Sequence, residues 1–404
     1  MRALVSGLLL AACFVVSEAE AQQSLPPRIP TMAGRSPVYA PNGIAATSQP
    51  LATTAALNVL QAGGNAIDAA VTAAAVLGVV EPMMTGPGGD MFALIWSAKE
   101  KKLIALNSSG RAGTLMTMEE LKRRGRTRIQ RGPESVTVPG AVAGWDALLK
   151  KYGTYTLAKA LQPAIGYAEN GYLVTPVIAN DWAGATRILQ GDEGASKTFL
   201  INGAPPKAGD FFRNPDIAAS YREIAKEGPS AIYGGPLGQK IVARLHELGG
   251  FLTLDDLKKN QPTWVTPIST TFKGYRIWEL PPNNQGVATL EMLRILDPYD
   301  LKGMGQNSVA YLHHLIEAKK LAYADLTKYV GDADHLTLTP AQMLSDPFIK
   351  ERRSHIDEHK AQVHVDAGPE RVSSETIYLT VADKEGNMVS FINSLFDEFG
   401  SGVV

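Results

Sequence analysis

The chain has 404 residues, 45% of them hydrophobic and 20% charged, which is enough for a buried core and for more than one domain. A formal net charge of −1 excludes a general electrostatic attraction to nucleic acid or to an anionic membrane surface. Cys13 is the single cysteine, so no intramolecular disulfide can form and stability must come from packing.

Met1-Arg2, the apolar Ala3–Val16 stretch and the small-x-small triplet Ala19-Glu20-Ala21 read as a secretory signal (residues 1–21), cleaved before Gln22. "LAAC" (Leu10–Cys13) offers a lipoprotein site instead. The apolar segment before Cys13 is short and Phe14 after it is bulky, so ordinary export to a periplasm or the exterior is expected. Ala52–Ala62 has a helical pattern that stops at Gly63-Gly64. Asn65 is placed to cap the next helix, "AIDAAVTAAAVLGVV" (Ala66–Val80), which Glu81-Pro82 ends. With 15 residues and Asp68 inside it, this segment falls short of a bilayer and is expected to be a buried helix.

Thr85–Gly89 reads as a glycine-rich turn, followed by a strand holding Phe92, Leu94 and Trp96 and a returning strand in "KEKKLIALN" (Lys99–Asn107). "SVTVPGAVAGWDALLKKYG" (Ser135–Gly153) predicts strand, turn and helix. Residues 155–260 are mostly helical in pattern, Pro267–Pro282 gives paired strands, and "GVATLEMLRIL" and "SVAYLHHLIEAKKLAYADL" give long helices. Near the C-terminus Ile377, Leu379 and Val381 alternate with Thr376, Tyr378 and Thr380, the period of a half-buried strand. Asp383–Asn387 ("DKEGN") is a hairpin loop in which Gly386 can take positive φ, and Met388–Ile392 returns. Such a hairpin is expected at a sheet edge, where one row of backbone groups lacks a partner. Helices early and in the middle with strands returning late predict one α/β globule with a layered sheet.

Most of the candidate chemistry has a simpler structural reading. "TGPGGD" (Thr85–Asp90) lacks the Gly-Lys-Ser/Thr ending of a P-loop and the preceding strand of a dinucleotide fingerprint, so a tight turn is expected. His355 and His359 have i,i+4 spacing but sit in a polar, charged stretch without the zincin order, which fits an exposed face. His313 and His314 are adjacent, so one is expected to be packed and one exposed. "GDADH" (Gly331–His335) lacks the spacing and final Glu of an EF-hand loop. The basic run Lys122–Arg131 has no interleaved aromatics for stacking on bases and reads as a solvated loop. No G-x-S-x-G elbow occurs, which argues against an α/β-hydrolase. No metal, cofactor or nucleic acid is therefore expected.

Thr376 is different. Inside a chain it is an ordinary strand residue, but cutting the Glu375–Thr376 bond would give it a hydroxyl and its own free α-amine. An amine titrating at about 7.7–8.0 can act as base for that hydroxyl near neutral pH. The β-branched side chain has few χ1 choices, which aims the hydroxyl in advance.

The segments "GGNAIDAAVTAAAVLGVVEP", "GPGGDMF", "SVTVPGAVAGWDALLKKYG", "LQPAIGYAENGYLV", "GGFLTLDDL", "ELPPNNQGVATLEML", "YVGDADH" and "DKEGNMVSFINSLFDEFGSGVV" cover nearly everything from about residue 40 onward. Together they resemble the γ-glutamyltranspeptidase (glutathione hydrolase) family of N-terminal-nucleophile (Ntn) hydrolases. The resemblance implies a four-layer αββα sandwich and a precursor that cuts itself before a threonine into two subunits that stay together. Carried onto this chain, the cut falls before Thr376, giving a large subunit, 22–375, and the start of a small one, 376–404. Ser394 matches the family's supporting hydroxyl. The family's small subunit continues beyond "FGSGVV" to a Gly-Gly pair that supplies the oxyanion hole, so the sequence is expected to stop early in that subunit.

Two positions depart from the family pattern. "LNSSGRAG" (Leu106–Gly113) puts Ser109 where the family has its glutamyl-binding arginine, with Arg111 two residues later, and Phe396 stands where the family has a glutamyl-holding asparagine. The resemblance then leans toward cephalosporin (glutaryl) acylases and related amidases. Arg111 either grips a substrate carboxylate or makes a loop salt bridge. The expected substrate is a small γ-glutamyl or N-acyl amide, with water or an amine as acceptor and no cofactor. An unprocessed, non-catalytic binding protein is the alternative from another class.

Overall fold

The computed structural model describes residues 38–129, 131–363, 365 and 376–404. The expected leader with Cys13 and its expected cleavage site, and Glu375 before the expected cut, lie outside the described residues. In chain order, the elements that build the site and its supports begin with β1 (Gly43–Ala46), α1 (Pro50–Gln61), α2 (Ala66–Val80), β2 (Asp90–Ser97), β3 (Lys102–Ser108) and α3 (Ala141–Tyr152). There follow α4 (Gln162–Asn170), α5 (Pro215–Glu227), β4 (Thr263–Val265), β5 (Ile268–Phe272), β6 (Tyr275–Glu279) and α6 (Gly286–Leu296). The last are α7 (Val309–Tyr329), α8 (Asp346–Ser354), β7 (Ile377–Asp383) and β8 (Met388–Ser394).

The main sheet runs β1-β7-β8-β2-β3-β4, every neighbouring pair antiparallel. The strand starting at Ile377 is therefore not at an edge. β1 pairs with it on one side (Gly43↔Asp383 to Ala46↔Thr380), and β8 on the other is closed by β2. Alternation sends Ile377, Leu379, Val381, Val389, Phe391, Met91, Ala93 and Ile95 to one face, where all are buried.

That face packs on α2, which is buried along its whole length and so is apolar all round rather than amphipathic. α1, α4 and α3 pack around it, and α5 packs on α4 behind it. Asn65 and Asp68 form a reciprocal cap on α2. Asn65 Oδ1 accepts from the amides of Ile67 (3.0 Å) and Asp68 (3.1 Å), and Asp68 Oδ2 accepts from Asn65 N (2.9 Å). The β7–β8 turn joins the same helix end, since Asp383 Oδ2 accepts from Ala66 N at 3.0 Å. Gly386 takes φ +86° there, as the turn requires.

Residues after β4 form a helical lobe with its own small cores: the β5–β6 hairpin, α6, α7 and α8. The described residues thus supply one helical layer and one sheet of the expected sandwich. One local expectation fails: Ser135–Val138 is no strand. Pro133–Ser135 forms a single 3-10 turn, and Val138 N makes one bond, to Arg111 O at 2.9 Å. β-branched residues alone do not make a ladder when the neighbouring chain is a turn.

Candidate active site

The sheet's strand ends bring the sequence candidates together. Asn393 pairs with Ile377 between β8 and β7, and one further step along that ladder sets Thr376 across from Ser394. Ser394 in turn lies opposite Asp90 on β2, and Ser109 follows β3 one step past the Met91↔Ser108 pair. Thr376, Ser394, Asp90 and Ser109 thus share one row across four strands. The row beneath it (Ile377, Asn393, Met91, Ser108) is buried against the helices, so the upper row belongs to the opposite face. Thr376 is exposed, and Ser394 and Asp90 are half-buried.

Asn393 explains why the row is rigid. Fully buried, its Oδ1 accepts from Trp145 Nε1 (2.9 Å), and its Nδ2 donates to Thr85 Oγ1 (2.8 Å) and Gly86 O (3.1 Å). The tight turn expected of the glycine-rich segment is present, and the structure adds a role as a support for Ser394. A Cβ on Gly89 would stand 2.3 Å from the Ser394 carbonyl oxygen, so only glycine allows this approach. Leu395 N and Phe399 N donate to Met84 O (3.0 Å) and Met83 O (2.7 Å), docking the segment after β8 on the same turn.

The substrate-binding candidates rim the row. Ser109 Oγ is held in an amide cluster: it donates to Asn107 Oδ1 (3.0 Å) and accepts from Asn283 Nδ2 (2.8 Å), while Asn107 Nδ2 donates to Asn283 Oδ1 (2.8 Å). Arg111 takes the loop-salt-bridge alternative. Its guanidinium reaches Asp332 (3.1 Å) and Asp334 (3.3 Å) of "GDADH", which gives that motif a role other than calcium. Phe396 is 63% exposed at φ +76°, and its N–H donates to Ser394 Oγ at 2.9 Å. Burial pushes the Asp90 carboxyl up to about 6, against the Gly110 N–H that favours its charged form. Glu279, at the end of β6 before the Asn283 loop, is pushed up to about 7 by burial.

Sequence reasoning did not single out Asp90, Asn107, Asn283, Asp332 and Asp334. "PPNNQG" and "GDADH" were the available signals, but only the fold shows that they meet β3. His314 is buried and His313 only half-buried, its Nε2 at 2.7 Å from Asp357 O, His355 pairs with Glu351 at 2.7 Å, and no cluster of three metal-ligating side chains occurs among the described residues. In the basic run Arg123 and Arg124 bind Glu120, Arg124 and Arg126 bind Glu134, and Arg131 binds Asp397 next to the site. No helix among the described residues is long and apolar enough to cross a membrane. A polar cavity of about 480 Å³ lined by Arg276, Arg294 and Arg353 lies in the helical lobe, not at this row.

A sheet whose adjacent strands present a threonine and a serine at one end, braced by a glycine turn, is the frame expected of an Ntn hydrolase. The gamma-glutamyltranspeptidase family model matches residues 52–404, and the chain belongs to that family. It is 36% identical over 353 residues to the glutathione hydrolase-like YwrD proenzyme of Bacillus subtilis (strain 168), covering 87% of this chain and 66% of that protein. It is 35% identical over 379 residues to the acylase ACY 1 proenzyme of Pseudomonas sp. (strain SE83), covering 91% of this chain and 68% of that one. The cephalosporin acylase structure from Bacillus halodurans superposes with a TM-score of 0.83 at 42% identity, over 94% of this chain and 70% of that one. The α/β fold is that of these Ntn hydrolases, and the chain spans about two thirds of the length of the curated relatives it matches.

Proposed function

We propose that this chain belongs to a self-processing amidohydrolase or acyltransferase in which Thr376, released as an N-terminus, attacks an amide carbonyl. The acyl-enzyme so formed passes its acyl group to water or an amine. The observation that carries the reading is the cross-strand placement of Thr376 beside Ser394, at strand ends braced by Asn393 and the Thr85–Asp90 turn. The same hydroxyl, attacking the Glu375 carbonyl, would convert that amide to an ester for water to open. This yields subunits 22–375 and 376 onward.

Between the two substrate classes, the rim favours N-acyl amides over free γ-glutamyl groups. Arg111 already faces two carboxylates and Ser109 is enclosed by Asn107 and Asn283, so a glutamyl carboxylate finds fewer unengaged cations. The names of the acylase relatives agree with this direction. The test uses the complete precursor. Wild type should run as two subunits on a denaturing gel and should cleave a glutaryl amide faster than a γ-glutamyl anilide. Thr376→Ala should stay as one band and be inactive, and Thr376→Ser should keep part of both functions. A two-band Ala variant would remove Thr376 from the mechanism. A one-band, inactive wild type would favour the binding-protein alternative, and glutathione as clearly the best substrate would reverse the substrate class.

A further inference from the structure

Asp90 sits directly opposite Ser394, with Met91 after it turned into the helical core. Its Oδ1 accepts the Gly110 N–H at 3.1 Å. Gly110 lies between Ser109 and Arg111, the two rim residues, and it has no room for a side chain: a Cβ there would be 1.5 Å from Val138 O. The 109–111 segment is therefore held at two points, by Asp90 at Gly110 N and by Val138 N at Arg111 O (2.9 Å).

We propose that Asp90 is a positioning residue whose carboxylate fixes the Ser109–Arg111 segment against the Thr376–Ser394 row, so that substrate binding follows the ionisation of Asp90. The inference rests on the reading of this row as an amidohydrolase site. A hydrogen bond from an amide to a charged carboxylate is roughly twice as strong as one to its neutral form, so protonation weakens the anchor. Burial places that protonation near pH 6, inside the working range of the site. Among the described residues no cation pairs with Asp90. Arg111 is turned to Asp332 and Asp334, and Tyr233 stays a neutral phenol that donates to Pro139 O at 2.7 Å. Ser394 beside it carries no charge, and the α-amine of a processed Thr376 lies across Ser394.

Two readouts test this, one of them independent of catalysis. In uncleaved Thr376→Ala protein, the hydrogen-exchange protection of the Gly110 amide should fall on the order of tenfold between pH 7 and 5, as the ionised fraction of a group titrating near 6 does. Asp90→Asn, whose amide oxygen still accepts the bond, should show the same protection at both pH values. In the processed enzyme, KM for the better of the two chromogenic amides should rise over the same interval while kcat changes less. Asp90→Asn should flatten that rise, and Asp90→Ala should raise KM at every pH. A wild-type-like pH dependence in Asp90→Asn, by either readout, would overturn the inference. Should Asp90→Ala not fold, Asp90→Asn decides alone. If the protection changes as expected but no amide is turned over, the anchor stands and the functional reading fails.

Discussion

Phe396 combines a strained backbone with an exposed position beside the row. Its φ of +76° lies in the left-handed region, where a bulky side chain crowds the following carbonyl at a cost of about 1–2 kcal/mol. The turn geometry is imposed from both sides, by the Phe396 N–H on Ser394 Oγ and by Leu395 N on Met84 O. The ring meanwhile stays exposed at the rim of the row, where apolar area can take a larger acyl or amine portion. Asparagine adopts this conformation readily and is the residue that the family resemblance implies for holding a glutamyl group. Phe396→Asn should therefore gain about 1 kcal/mol of stability in denaturant unfolding. It should also shift the rate ratio toward γ-glutamyl anilide and away from the glutaryl amide. A stability loss with an unchanged ratio would show that the ring packs on something essential.

At the scale of elements, the local signals were legible and the distant ones were not. Asn65 before an alanine-rich run announces a cap, and "DKEGN" announces a tight turn, because each signal is satisfied within a few residues. The position of β7 inside the sheet depends on the four-residue β1, more than 300 residues earlier, and nothing local marks that pairing. The row of Thr376, Ser394, Asp90 and Ser109 was likewise half-visible: family likeness supplied the two hydroxyls, whereas Asp90 enters only through register.

Asp68 joins the two regimes. Its local role is the α2 cap, and its distant role is to accept from Thr154 N (2.8 Å), Tyr155 N (2.9 Å) and Thr154 Oγ1 (2.6 Å). Asp68→Ala removes a fully buried acceptor from these partly exposed donors and from Asn65 N, so unfolding free energy should drop by about 1–3 kcal/mol. Asp68→Asn should recover part of it, because its amide oxygen still accepts while its NH₂ cannot. A loss under 0.5 kcal/mol, roughly the scale of an ordinary surface change, would mean that water satisfies the donors.

For the whole molecule, pH is the variable that joins the two lobes. In the helical lobe α6 buries Glu291 completely beside Asp325 of α7, which forms an ion pair with Arg352 of α8 at 2.7 Å. Burial, with the Asp325 carboxylate next to it, pushes Glu291 far above the usual carboxylate range, so it keeps its proton and donates it to Asp325. Glu279 and Asp90 are pushed the same way by burial, to about 7 and about 6. Each of these groups holds a proton in the fold that the unfolded chain has already released above its ordinary value near 4.5 or 3.8. Stability from such a raised acid is fully present below the unfolded value and is lost as pH climbs toward the folded one, at up to about 1.4 kcal/mol per pH unit per carboxyl. Asp192, Asp256 and Glu317 are lowered by their hydrogen bonds and act oppositely, losing their contribution only as pH falls below the ordinary carboxylate range. The two sets place the stability maximum on the acid side of neutrality. Thermal unfolding of uncleaved Thr376→Ala protein should therefore give a higher Tm at pH 5.5 than at pH 8. Adding Glu291→Gln, which does not titrate, should raise the value at pH 8 by clearly more than that at pH 5.5, where the ionisable carboxyl has lost only the first part of its contribution. A Tm that rises from pH 5.5 to 8, or a Gln variant equally shifted at both, would mean that Glu291 is ionised in the fold and that the Arg352 charge is shared by both carboxylates.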